Sequence, residues 1–209
     1  MTLYPVVMAV PEEGLAPRGR ERVAGLSRVA REALRLSAER SGVVLGALRK
    51  DQDDVPVPFD GTYWSLSHKP GFVAAVVSGE MAGIDVEEVK PRSSGLFELV
   101  ASDEEWELGG GKSWDFFFRY WTAKEATLKA LGVGTSGLKA CRVTAVPDDL
   151  HLALEYRGRP FTVGQLRYGN HIVSVLQGDS RIKWVISDRT HDVVWRWRSY
   201  EKGPLRRSP

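Results

Sequence analysis

The chain has 209 residues, 43% of them apolar, seven tryptophans and a formal net charge of +2. This composition excludes intrinsic disorder and a global field for polyanions, so any basic site must be local. One cysteine, Cys141, excludes a disulfide framework and a cysteine-built zinc site, and no apolar run nears the ~20 residues that span a bilayer. A cytoplasmic protein without a membrane span is expected.

Residues 2–10 read as an edge strand and 11–20 as a loop of Gly, Pro and Arg. From Glu21 to Arg40 the pattern is helical. Val23, Leu26, Ala30, Ala33, Leu34 and Ser37 form the inner face, and six arginines between Arg18 and Arg35 form an anion-binding surface or a solvated one. Ser41–Leu48 reads as a short helical piece and 50–61 as a polar loop. Tyr63–Ser67, Phe72–Val77 and Gly83–Val89 read as a three-strand meander, with His68-Lys-Pro-Gly71 as its first turn. Leu96–Leu108 reads as a helix containing a capping box at Ser102 and Glu105. Ser113–Leu131 is a long helix ended by Gly132 and Gly134 through left-handed caps. Strands are then predicted over 140–146, 150–156, 160–166, 171–176 and 183–187. In 188–209, Trp195 and Trp197 alternate with arginines, which reads as an edge strand in a basic C-terminal extension; no nucleic-acid partner is expected.

Residues 67–86 resemble 168–185 in their order of turn, strand, turn and strand, and each follows a helix and a strand. The expected fold is therefore α+β, a helix-plus-antiparallel-sheet unit used twice with a cleft between the copies. Residues 1–90 form the first half and 91–187 the second.

The chemistry lies in two of these elements. In the strand 83–89 the period of two puts Asp85 and Glu87 on one face, about 7 Å apart at the backbone, which by itself reads as a solvated edge strand or as two ligands of one ion. In the long helix Glu125 falls between Phe118, Trp121 and Leu128 on an apolar stripe, where an unpaired carboxylate costs several kcal/mol. Three oxygen donors with no cysteine or histidine cluster suit Mg²⁺, with Mn²⁺ also acceptable, and coordination would offset that cost. Lys129 pairs with Glu125 one turn on or serves as a point charge for a phosphate. His68, placed in a turn, is either presented to a ligand or a turn histidine bonded to backbone.

Ser65-Leu-Ser-His68, Gly83-Ile-Asp-Val-Glu87 and Trp121-Thr-Ala-Lys-Glu-Ala-Thr-Leu-Lys129 together resemble the three ordered motifs of the 4′-phosphopantetheinyl transferase superfamily. The length and internal duplication resemble its single-chain, pseudo-dimeric type, with the active site between the halves. The resemblance implies transfer of the 4′-phosphopantetheine arm of coenzyme A to a serine of an acyl, peptidyl or aryl carrier protein, by a monomer that releases adenosine 3′,5′-bisphosphate. It implies that Asp85, Glu87 and Glu125 hold Mg²⁺ and that Lys129 binds a phosphate. Glu125 or a metal-bound water would take the serine proton. His68 would contact the 3′-phosphate with Ser67 beside it. Lys124 would be a second diphosphate contact or, about 100° round the helix from Glu125, only a solvated lysine.

The chain departs from the family pattern in lacking a Gly-Lys-Pro loop before the Ser-His motif. The nearest match is Asp54-Val-Pro56, so Lys50 or an arginine of the first helix would replace its lysine. Two other classes use the same residues: a metal-dependent nucleotide pyrophosphate hydrolase and an idle carrier-binding module.

Overall fold

The computed structural model describes residues 1–10 and 19–187, together with the backbone strand at 192–195. Two short strands, β1 (Thr2–Leu3) and β2 (Val6–Ala9), precede α1 (Gly19–Ser41). Leu26, Val29, Ala30, Ala33, Leu34, Ser37 and Ala38 recur at helical spacing and are buried. Ser37 ties this face down, donating to Tyr4 O at 2.7 Å and accepting from Val77 N at 3.1 Å. The short helix expected over 41–48 does not form. The chain turns at Gly42 and runs irregularly to a small hairpin, β3 (Arg49–Lys50) with β4 (Pro56–Val57). Gly46 lies against the Phe59 ring, so the ring rather than helical hydrogen bonding fixes this stretch.

β5 (Tyr63–Lys69) and β6 (Phe72–Ser78) form a hairpin turned at Gly71. β5 runs two residues past the predicted end, so His68 pairs with Val73 inside the strand. β7 (Ile84–Glu88) follows. The predicted single helix at 96–108 is two helices, α2 (Phe97–Val100) and α3 (Asp103–Leu108), because the chain extends at Ala101 and Ser102. Ser102 and Glu105 close the expected capping box on α3. α4 (Trp114–Ala130) leads to β8 (Cys141–Ala145), β9 (His151–Tyr156), β10 (Arg159–Tyr168) and β11 (His171–Leu176). The last strands are β12 (Arg181–Ile182), β13 (Trp184–Ser187) and β14 (Asp192–Trp195).

The first sheet has the order β14-β13-β2-β6-β5 and the second β7-β11-β10-β9-β8. α1 packs on the first sheet through Val6, Met8, Val73, Ala75 and Val77. α4 packs on the second through Leu152, Leu154, Val163 and Ile172. The remaining faces pack on each other, with Val7, Ala74 and Val76 against Ile84, Val86, Val173 and Val175. The molecule is thus α+β, layered helix, sheet, sheet, helix.

One expectation about topology is overturned. β7 does not complete a meander with β5 and β6. It crosses to the second sheet and pairs with β11, Val86 opposite Val173. β13 crosses the other way, from the β10–β11 hairpin to β2 in the first sheet. The two stretches that resemble each other in sequence are both hairpins followed by a crossing strand. The edge strand expected in the 188–209 extension is present as β14, antiparallel to β13 at the sheet edge; the rest of that extension lies outside the described residues.

Candidate active site

The site forms where the edge strands of the two sheets, β5 and β7, run side by side. Their side chains meet in register at a period of two. Ser67 Oγ donates to Asp85 Oδ1 at 2.7 Å, and Lys69 Nζ lies 2.7 Å from Glu87 Oε1. Ile84 N donates to Ser65 Oγ at 3.2 Å, closing the ladder at its other end. Gly83 makes the approach of β7 to α4 possible, because a Cβ there would lie 1.8 Å from Ala126 O. Only glycine fits so close a passage.

α4 supplies the opposite wall. Ser113 caps its start, accepting from Phe116 N at 3.2 Å. At its end Gly132 takes φ 65°, Val133 N donates to Leu128 O and Gly132 N donates to Lys129 O, a Schellman motif. Gly134, expected to share that role, is extended at φ −69°. Thr122 Oγ1 and Ser174 Oγ are 2.7 Å apart and fix the helix on β11, whose Ser174 pairs with Asp85. Trp121 stacks on Phe117, and Glu125 and Lys129 follow along the same side of the helix.

These walls enclose a cavity of about 340 Å³ lined by Ser67, His68, Lys69, Asp85, Glu87, Trp121, Glu125 and Lys129, with Lys50 at its border. Lys50, Leu66 and Lys129 also border an adjoining cavity of about 490 Å³, whose mixed lining sets Val55, Trp64, Leu128 and Val133 beside Asp53, Asp54 and Ser65. A larger depression of about 570 Å³, at the turns after β6, β9 and β11, shares no residue with either. Its lining holds no cluster of acids, so size alone does not locate the chemistry.

Asp85 and Glu87 are 4% and 5% exposed. Asp85 Oδ2, Glu87 Oε2 and Glu125 Oε1 are each buried without a hydrogen-bond donor. Burial raises the pKa of Glu125, the Asp85 charge raises it further, and Lys129 opposes both. Burial likewise raises Glu87, against the pull of Lys69. His68 is lowered by burial and then by Lys129, which favours a neutral imidazole.

Lys129 does not pair with Glu125. Its ammonium lies 2.7 Å from Asp85 Oδ1 and 3.3 Å from Ile84 O. Among the described residues, no three Asp, Glu, His or Cys side chains converge closely enough to grip one ion. Asp85 and Glu87 each turn one oxygen to a lysine. The three oxygens without donors nevertheless belong to three carboxylates lining one cavity, a hard-oxygen set that suits a divalent cation. The residues therefore fit such an ion, provided the lysines yield.

Asp85, Glu87, Glu125, Lys129, Ser67 and His68 are thus brought together as expected. Lys124 is not, and neither reading of it holds. It is 1% exposed, and its ammonium donates to Val100 O at 2.5 Å and Glu105 Oε1 at 2.7 Å, inside the second core. Glu105 also accepts from Val143 N, so this pair anchors α3, α4 and β8. Two cations escaped the sequence reading. Lys69 was assigned to a turn, although continuing the period of two from Ser67 would have found it. Arg92, 3.6 Å from Glu87 Oε2, sits in a stretch with no periodicity to place it. Lys50 borders both cavities; the α1 arginines line neither.

The ammonium groups of Lys50, Lys69 and Lys129 on the carboxylate-lined cavity suit a phosphorylated ligand, and the three carboxylates suit a cation beside it. The family model of the 4′-phosphopantetheinyl transferase superfamily matches residues 81–185, and the chain belongs to that superfamily. The matched span holds Asp85, Glu87, Glu125 and Lys129; Ser67 and His68 precede it. The chain is 32% identical over 78 residues to 4′-phosphopantetheinyl transferase psf-1 of Bacillus pumilus, covering 35% of this chain and 34% of the relative. It is 32% identical over 96 residues to 4′-phosphopantetheinyl transferase HetI of Nostoc sp., 43% and 40% of the two chains. With a 4′-phosphopantetheinyl transferase of Bacillus subtilis the figures are 24% over 119 residues, 55% and 53%. The chain thus spans from about a third to about half the length of these relatives. Among the described residues no helix is long and apolar enough to cross a membrane.

Proposed function

We propose that the chain transfers the 4′-phosphopantetheine arm of coenzyme A to a serine hydroxyl of an acyl, peptidyl or aryl carrier protein, releasing adenosine 3′,5′-bisphosphate and requiring Mg²⁺ or Mn²⁺. Membership of the superfamily supports the reaction class. The observation that carries the site is the set of three donorless buried carboxylate oxygens, from Asp85, Glu87 and Glu125, on one lysine-edged cavity. In this reading those three residues hold the divalent cation, which when bound supplies positive charge against the diphosphate oxygens.

The other roles belong to the chain's own groups. Lys129 leaves Asp85 for the diphosphate and neutralises charge that grows on the leaving phosphate as the serine Oγ–phosphorus bond forms. Glu125 accepts the serine proton. His68 meets the 3′-phosphate with Ser67 beside it. The adjoining cavity takes the base against Val55, Trp64 and Leu128, with Lys50 at its border in place of the family's loop lysine. Residues 1–90 and 91–187 are the two halves of a pseudo-dimeric, monomeric and cytoplasmic enzyme, each half lending a strand to the other.

The test is incubation with coenzyme A, Mg²⁺ and an apo carrier protein, read by the carrier's mass. A gain equal to the arm is expected, and Asp85→Ala and Glu125→Ala are each expected to abolish it. Release of adenosine bisphosphate without carrier gain would mean hydrolysis instead. Carrier binding without turnover would mean an idle module.

A further inference from the structure

Glu87 is 5% exposed, yet both its oxygens face cations. Lys69 Nζ is 2.7 Å from Oε1 and Arg92 Nη2 is 3.6 Å from Oε2. A divalent cation on Glu87, entering at the donorless Oε2, sets a like charge against both neighbours. The two neighbours are not equally able to give way. Both side chains are partly exposed, but Arg92 is seated over the Phe118 ring, 5.3 Å from its centroid, and is not among the residues lining the cavity, whereas Lys69 closes β5 at the cavity rim. Lysine is a compact charge on a flexible stem, so its ammonium can change partner while the strand stays in place.

We propose that Lys69 is a tethered cation: it neutralises Glu87 until a divalent ion displaces it, and its ammonium then binds the diphosphate of the substrate. The inference rests on the transfer reading for its substrate and on the β5–β7 ladder for its geometry. That ladder sets Ser67 against Asp85 and Lys69 against Glu87, so Lys69 is the outer member of a pair whose inner member is a hydroxyl. The arrangement makes the ion and the diphosphate bind cooperatively. The ion alone must evict an ammonium, but with the diphosphate present the evicted ammonium gains a new partner. Such coupling is reciprocal by thermodynamic necessity.

The test uses the full chain and follows free Mn²⁺ by electron paramagnetic resonance, with coenzyme A binding read by calorimetry. Without coenzyme A, Lys69→Gln is expected to bind Mn²⁺ about tenfold more tightly than wild type, since a like charge leaves the ion's neighbourhood. With saturating Mn²⁺, the same variant is expected to bind coenzyme A about tenfold more weakly, and Lys69→Arg to restore most of that loss. Equal or weaker Mn²⁺ affinity in Lys69→Gln would show a lysine that only packs against Glu87 and would overturn the proposal. Mn²⁺ binding unchanged by Asp85→Asn would overturn the ion site and the proposal with it. The predicted Lys69 effects without any carrier mass gain would uphold the tether and overturn the transfer reading alone.

Discussion

Lys124 and Glu125 are neighbours in sequence and leave α4 in different directions. Lys124 reaches into the second core to Glu105, 2.7 Å away, and Glu125 lines the active-site cavity. The helix thus carries one buried and one half-buried charge with separate surroundings. Lys124→Gln leaves Glu105 without its cation in a buried setting, which costs about 3 kcal/mol or more. Urea unfolding should show that loss, while coenzyme A affinity of the folded variant stays near wild type. A selective loss of coenzyme A binding at full stability would return Lys124 to the site.

Gly83→Ala should be among the most damaging single-methyl changes in the chain. The added Cβ meets the Ala126 carbonyl, which α4 cannot withdraw without breaking its hydrogen-bond ladder. Overpacking of this kind costs about 1–3 kcal/mol. It also pushes β7 from α4, separating Asp85 from Glu125, so transfer should fall further than thermal stability alone accounts for. The comparison is of melting temperature and initial rate in one preparation.

The acids make ion-free stability depend on pH in a definite direction. Glu87 and Glu125 both have folded pKa values raised above the ordinary carboxylate range. Their stabilising contribution is therefore present below the unfolded value, near pH ~4.3, and is lost as pH rises through the raised folded value. Without divalent ions, Glu125→Gln should be more stable than wild type at pH 7.5, by about 1 kcal/mol, and gain less on acidification. Urea titrations at pH 5 and 7.5 give both quantities. A destabilised Glu125→Gln at pH 7.5 would contradict the raised pKa.

His68 offers a second pH signature. Its pKa is lowered by burial and by Lys129, so the free protein holds it neutral near pH 7. Contact with a 3′-phosphate favours the imidazolium, and coenzyme A should bind more tightly as pH falls from roughly 7.5 to 6. Dephospho-coenzyme A, which lacks that phosphate, should show a shallower dependence, and His68→Gln should abolish the difference. Calorimetry at both pH values decides it.

Much of this site was legible because it follows local periods. Asp85 and Glu87 declare themselves through the period of two, and Glu125 through its place in an apolar helical stripe. What was not legible depends on which strand lies beside which. The neighbour of β7 in its sheet is β11, some 85 residues later, and nothing local to residues 83–89 distinguishes that from pairing with β6. Lys69 became visible only once β5 was seen to outrun its predicted end by two residues. Lys124 is hidden for a related reason: the sequence shows its partner Glu105 only as half of a capping box, while the other carboxylate oxygen serves the core.

The exchange of β7 and β13 between the sheets has a consequence for the chain as a whole. β7 forms the outer edge of the second sheet, and β13 is inserted between β14 and β2 in the first. A nick at Pro91 would therefore not liberate two self-sufficient bodies. Each fragment would carry a strand belonging to the other's sheet, and neither could complete its fold except by recapturing its counterpart. The protein is thus suited to fragment complementation, in which two inert pieces regain structure only on meeting, and the intact chain should lose its structure in a single step.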